Sequence, residues 1–146
     1  MYQRILVPVD GSATSNAALH EAIRFAQQHK AMLKLVHVIE DARFFDAEGM
    51  IDYTALQQMA RRSGEQVLAH AVAAARQAGL EAETDLLESD GRRVEDLIVA
   101  EAKRWMADLV VLGTHGRSGV SRLLFGSVAE GVVRGAHTPI LLIRGE

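Results

Sequence analysis

The chain has 146 residues, which suits one domain built around one core. Hydrophobic residues make up 49% and charged residues 24%, with aromatics at only 5%, so Ala, Val, Leu and Ile must build that core. The lack of cysteine excludes a disulfide framework and thiolate chemistry. A net charge of −3 with scattered Lys and Arg gives no footprint for nucleic acid, and no run of about 18 apolar residues exists to span a membrane.

The chain opens on a short apolar run, Ile5–Val9, closed by Asp10. That is not a charged segment followed by a long apolar one, so a cytoplasmic protein without a secretory leader is expected. The run is nearly all apolar, which predicts a strand buried on both faces. Ser12, Thr14 and Ser15 can each cap a following helix, whose Leu19, Ala22, Ile23 and Ala26 repeat at helical spacing. Met32–Ile39 reads as a second strand. Glu40–Tyr53 has no clean period and is expected to be an irregular loop. Leu56, Met59, Ala60, Ser63, Val67, Ala71, Ala74 and Ala78 mark the face of a long second helix, stopped by Gly79. Leu80–Glu88 alternates and is partly polar, as an edge strand would be. Val94, Leu97, Ile98, Ala102 and Trp105 line a third helix. Leu109–Leu112 is a fourth strand, Ser127 opens a fourth helix that ends at Gly135, and Ile140–Ile143 is a fifth strand.

Strands alternating with helices predict an α/β fold, a parallel sheet with helices on both faces. Ligands of such sheets sit at the carboxyl ends of the strands, where strand order reverses. The loops after strand 1 and strand 4 are therefore the places to look for a site.

After strand 4 the sequence runs Gly113-Thr114-His115-Gly116-Arg117-Ser118-Gly119-Val120-Ser121-Arg122-Leu123-Leu124-Phe125-Gly126-Ser127. Glycines let backbone approach a ligand without a Cβ in the way, and successive loop amides can form an anion-binding concavity. Ser127 with Glu130 fits a capping box, and the start of a helix presents free N–H groups that suit phosphate. Arg117 and Arg122 add planar donors for phosphate oxygens. Any one of these glycines is explained by a simple turn; four of them before a helix, after a central parallel strand, point to phosphate. Two other phosphate motifs do not fit. A P-loop needs a Lys directly before its helix, and none is present. The dinucleotide fingerprint needs Gly-x-Gly-x-x-Gly after strand 1.

Gly113-x-x-Gly116, nine residues, then Gly126-Ser127 resembles the ATP-binding signature of the universal stress protein family. Ile5–Ser12, His37-Val38-Ile39 and Thr138–Leu142 agree with it, and the likeness spans essentially the whole chain apart from Glu40–Tyr53. The resemblance implies a flavodoxin-like (adenine nucleotide alpha-hydrolase-like) five-stranded parallel sheet in the order 3-2-1-4-5. It implies ATP bound across strands 1 and 4, and a homodimer. By the same resemblance Pro8, Val9 and Asp10 contact the adenosine, with Asp10 near the ribose. Val38 packs on adenine, Leu112 and Gly113 lie beside the adenosine, and Gly116, Gly126, Ser127 and Val128 surround the phosphates. One branch of the family has lost the glycine signature and does not bind ATP; this sequence keeps it.

The functional expectation is an ATP-binding regulatory or stress-response protein, with Mg²⁺ arriving on the nucleotide and Asp10 as the one loop carboxylate near it. The homodimer is expected through 139–143, and neither nucleic acid nor membrane is an expected partner. The alternatives are slow ATP hydrolysis and an interaction module ordered by nucleotide. Asp10 also has a purely structural reading, in which it holds loop amides. A phosphate-receiver domain needs an acid pair after strand 1 and a Lys after strand 5; Asp10 stands alone and Ile143 leads only to Arg144-Gly145-Glu146. His115 reads as a loop spacer with an exposed ring, and His20, His29, His37, His70 and His137 show no metal-ligand spacing. Arg61-Arg62 and Arg92-Arg93 read as solvated basic pairs.

Overall fold

A computed structural model describes residues 1–41, 52–115 and 126–145. In chain order the elements are β1 (Arg4–Pro8), α1 (Ala13–His29), β2 (Met32–Ile39), α2 (Tyr53–Gln77), β3 (Ala82–Glu88), α3 (Val94–Arg104), β4 (Leu109–Gly113), α4 (Ser127–Gly135) and β5 (Ile140–Ile143). The five strands form one sheet in the order β3-β2-β1-β4-β5, and every neighbouring pair is parallel. Ile5 sits opposite Leu33 of β2 on one side and Leu109 of β4 on the other.

The period of two along β1 divides the core. Ile5, Val7 and Val9 join Leu33, Leu35 and Val111 beneath α1 and α2. Leu6 joins Val36, Val110 and Leu112 beneath α3 and α4. Successive side chains of a strand point to opposite faces, so a central strand covered on both sides has to be apolar throughout. The chain runs outward from β1 through β2 to β3 and then returns to β4 on the other side of β1. The reversal therefore lies between β1 and β4, and both strands end on the same side of the sheet.

Two expectations about helices change. The buried stripe of α2 is Gly64, Leu68, Ala71 and Ala75. Met59 is exposed, and Val67, Ala74 and Ala78 flank the core instead of filling it. Gly64 sets this rotation. A Cβ built on it would stand 2.7 Å from His37 Cδ2 and 2.8 Å from Leu86 Cδ1, so only glycine lets the helix press this close to β2. Helix propensity alone favours Ala over Gly by about 1 kcal/mol, and overpacking costs about 1–3 kcal/mol. We expect Gly64→Ala to lower stability by about 1 kcal/mol in urea unfolding; a gain would show that the contact relaxes freely. The helix also begins at Tyr53, capped by Asp52 Oδ1 accepting from the Ala55 amide at 3.2 Å, so Tyr53 is helical rather than part of the preceding loop. The remainder of that loop, 42–51, lies outside the described residues.

The second change is at α4. Gly126, not Ser127, is the N-cap, and no side chain among the described residues caps the helix; Ser127 is its first residue. Glu130 pairs with Arg134 at 2.7 Å instead of reaching back to close a capping box.

A feature missed in the sequence lies on the α3 side. Lys34 of β2 and Glu101 of α3 are both about 5% exposed, and Lys34 Nζ donates to Glu101 Oε2 at 2.7 Å. Arg104 adds two bonds to the same carboxylate, at 2.9 and 2.6 Å. Beside them Trp105 packs into the α3–α4 core. Its indole N–H donates to Glu83 at 3.1 Å, and the Arg4 guanidinium lies 4.3 Å from the ring centroid.

Candidate functional site

A cleft of about 440 Å³ opens at the carboxyl ends of β1, β2 and β4, within the range of small-ligand pockets. Its floor begins at β1, where Pro8, Val9 and Asp10 line it, and continues to Val38 at the end of β2. Leu112 and Gly113 form the β4 side, and Gly126, Ser127 and Val128 bring in the start of α4. Nine of the residues singled out in the sequence thus surround one space. Gly116, Arg117 and Arg122 lie outside the described residues.

The lining has two chemistries. Val38, Leu112, Val94, Ile98 and Val128 all belong to the core on the α3–α4 face, and together they make an apolar slot. Val9 borders the cleft too, but its side chain is part of the opposite core, beneath α1 and α2. Around the slot stand polar groups from Asp10, Ser15, His37 and Thr114.

The turn from β1 to α1 explains how Asp10 is held. Gly11 passes through a left-handed φ of +83°. Asp10 Oδ1 accepts from the Ser12 amide at 2.9 Å, and Ser12 Oγ caps α1 by accepting from the Ser15 amide at 3.2 Å. Of the three residues able to cap α1, the turn uses Ser12. The carboxylate of Asp10 therefore does hold a loop amide, and it also borders the cleft.

On the β4 side the strand runs directly into the phosphate-type segment. A Cβ on Gly113 would lie 2.6 Å from Thr14 Cγ2 and 3.1 Å from that residue's backbone carbonyl, so the close approach of β4 to α1 requires glycine here. The next carbonyl, of Thr114, accepts from the Gly126 amide at 2.6 Å. This bond ties the two ends of the glycine-rich stretch together and aims the start of α4 at the cleft. Among the described residues no side chain caps these amides, and the first-turn N–H groups of a helix suit an anion. His115 is half-buried rather than exposed, with Nδ1 2.8 Å from the Thr114 hydroxyl.

His37, Ser15 and Thr114 were not among the site residues expected from the sequence. Ser15 carried a signal, its place three residues after Ser12, but that signal reads as a cap. His37 stood in the sequence only within the His37-Val38-Ile39 flank of the family resemblance, with no role attached to it.

The profile of the universal stress protein family matches residues 1–144. The chain belongs to that family. A universal stress protein of Methanocaldococcus jannaschii is 31% identical over 144 residues, 99% of this chain and 83% of that protein. Two solved structures of family members carry nucleotides. One, from Archaeoglobus fulgidus in complex with dAMP, is 27% identical with a TM-score of 0.69, covering 97% of this chain and 98% of that one. The other, in complex with cAMP, is 26% identical with a TM-score of 0.72, covering 97% and 96%. The family assignment agrees with the flavodoxin-like sheet order described above, and no described helix is long and apolar enough to cross a membrane.

Proposed function

We propose that this universal stress protein binds ATP in the cleft and acts as a nucleotide-dependent regulatory protein in a cytoplasmic stress response. The observation that carries the reading is the meeting, at the end of β4, of an apolar slot with the start of α4, which no described side chain caps. A flat apolar base fits the first and phosphate fits the second. The complexes of relatives with dAMP and cAMP support an adenine nucleotide as the ligand class. On this reading Val38, Leu112, Val94, Ile98 and Val128 enclose adenine, Pro8, Val9 and Gly113 border the nucleoside, and Asp10 accepts from the ribose hydroxyls. Gly126, Ser127 and the segment holding Gly116, Arg117 and Arg122 take the phosphates. Mg²⁺ comes with the nucleotide, held by phosphate oxygens and water with Asp10 as its nearest carboxylate. Among the described residues no group of three or more His, Asp or Glu comes together to hold an ion alone.

Calorimetry tests the nucleotide. The slot offers side chains with no polar atoms, so backbone groups alone must read the base edge, and guanine brings a C2 amino group, an N1–H and a carbonyl where adenine has a single amino group, more polar groups to leave unpaired. ATP is expected to bind at least about tenfold tighter than GTP, roughly 1.4 kcal/mol; equal affinities would refute the adenine slot.

We also propose a homodimer through β5. Ile140–Ile143 lies at the outer edge of the sheet beyond β4, and all four residues are only half-buried. An apolar edge strand invites pairing, and a second copy related by a two-fold axis covers it with an identical strand. Sedimentation at micromolar concentration is expected to give a dimer, and a Leu141→Lys variant a monomer; a monomeric wild type would remove this part of the proposal.

A further inference from the structure

The peptide joining Val9 to Asp10 is gripped on both sides by side chains rather than by neighbouring strands. The last ladder bond of β1 is the Val9 amide donating to the Val36 carbonyl at 2.8 Å. Beyond it the Val9 carbonyl oxygen lies 2.8 Å from His37 Nδ1. A carbonyl oxygen only accepts, so Nδ1 carries the proton and donates. The other polar group of the same peptide, the Asp10 amide, donates to Ser15 Oγ at 3.0 Å. His37 and Ser15 are 8% and 5% exposed, the ring is backed by Gly64, and both residues border the cleft. With the Asp10–Ser12 and Ser12–Ser15 bonds, these make a circuit of four hydrogen bonds around the β1–α1 turn.

We propose that His37 and Ser15 are positioning residues for the ligand. They fix the Val9–Asp10 peptide and thereby aim the Asp10 carboxylate, and so set how strongly the cleft prefers a ligand that offers ribose hydroxyls. The inference rests on the nucleotide reading above and deepens it. An apolar residue at 37 would leave the Val9 carbonyl without its donor, and the peptide would be held from the Ser15 side alone. The charge-assisted bond from a sugar hydroxyl to Asp10 depends on direction and would weaken. Contacts to the base and phosphates do not pass through this peptide and would be kept.

The test compares ATP with 2′,3′-dideoxy-ATP, which keeps base and phosphates but offers Asp10 no hydroxyl. Calorimetry is run on the full chain as wild type, His37→Leu, His37→Asn and Ser15→Ala. Wild type is expected to prefer ATP by about tenfold. His37→Leu and Ser15→Ala should reduce that preference to about twofold or less. His37→Asn should restore it, because the Asn side-chain amide stands at the same branch as Nδ1 and can donate to Val9. A role in stability alone would lower the melting temperature or weaken both nucleotides alike, leaving the ratio unchanged. Folded His37→Leu and Ser15→Ala proteins that keep the wild-type ratio overturn the inference; if His37→Leu does not fold, Ser15→Ala decides. A wild type that binds both nucleotides equally also overturns it while leaving nucleotide binding intact, whereas a wild type that binds neither removes the nucleotide reading itself.

Discussion

Replacing Lys34 with Ala is expected to destabilise the protein by about 3 kcal/mol, a large share of the roughly 5–15 kcal/mol that holds a domain of this kind together. The reason is the carboxylate it leaves behind. Glu101 is about 5% exposed, and without Lys34 the only hydrogen-bonding cation left to it among the described residues is Arg104, itself mostly exposed. Burial pushes the Glu101 carboxyl up, but the hydrogen bonds and positive charges of Arg104 and Lys34 outweigh it and hold the group below its ordinary value. Removing Lys34 keeps the burial and discards one of the two cations that oppose it. Replacing both partners, as Lys34→Met with Glu101→Leu, should recover most of the loss, since an apolar pair of similar size avoids desolvating either charge. Urea unfolding of the two singles and the double gives the coupling directly. A Lys34→Ala loss below about 1 kcal/mol would mean that water reaches Glu101 and the pair matters little.

The same carboxylate gives the stability a pH dependence of known sign. Its folded value is lowered, so its contribution is fully present above the unfolded value, about 4.3, and is lost as pH falls through the folded value. In Lys34→Ala the folded value rises towards or past the unfolded one, so that acid loss should shrink relative to wild type.

Gly126→Val is expected to cost at least about tenfold in ATP affinity, roughly 1.4 kcal/mol, while the fold survives. Gly126 has φ −60° and ψ 155°, a conformation open to any residue, so the turn into α4 is not strained by a side chain. That removes one of the two reasons the sequence suggested for a glycine here and leaves close approach. The residue is buried, borders the cleft and holds the Thr114 carbonyl through its amide. A branched side chain there would occupy the space in front of the α4 amides. Valine is also a poor N-cap, which should lower stability by about 1 kcal/mol, so melting and binding must be measured on the same samples. Adenosine binding should survive better than ATP binding. A folded Gly126→Val protein with unchanged ATP affinity would remove the phosphate cradle.

The architecture was legible because its signals are local. Ile5–Val9 and Leu109–Leu112 are apolar throughout, as only doubly covered strands are, and helical spacing marks the segments between them. Gly79 sits just beyond α2 with φ +82°, where a helix stop was expected. What escaped depends on contacts between distant residues. Lys34 and Glu101 are 67 positions apart, and nothing near either one announces a buried charge. The rotation of α2 follows from Gly64 meeting His37, a contact made only once β2 lies beneath the helix. Ser127 looked like a cap because Ser and Glu stand three apart; the chain used Gly126 because its amide is engaged by Thr114 across the excursion. His37 and Ser15 meet at the Val9–Asp10 peptide from different elements, so neither looks like part of a site in the sequence. Gly116, Arg117 and Arg122 lie outside the described residues.

The bond between the Thr114 carbonyl and the Gly126 amide makes a neck at the base of the stretch between them. It joins the residue that follows β4 directly to the residue that precedes α4, so strand and helix meet at the cleft with their spacing already set. A ligand entering there finds both walls in place and has no helix to reposition before it binds.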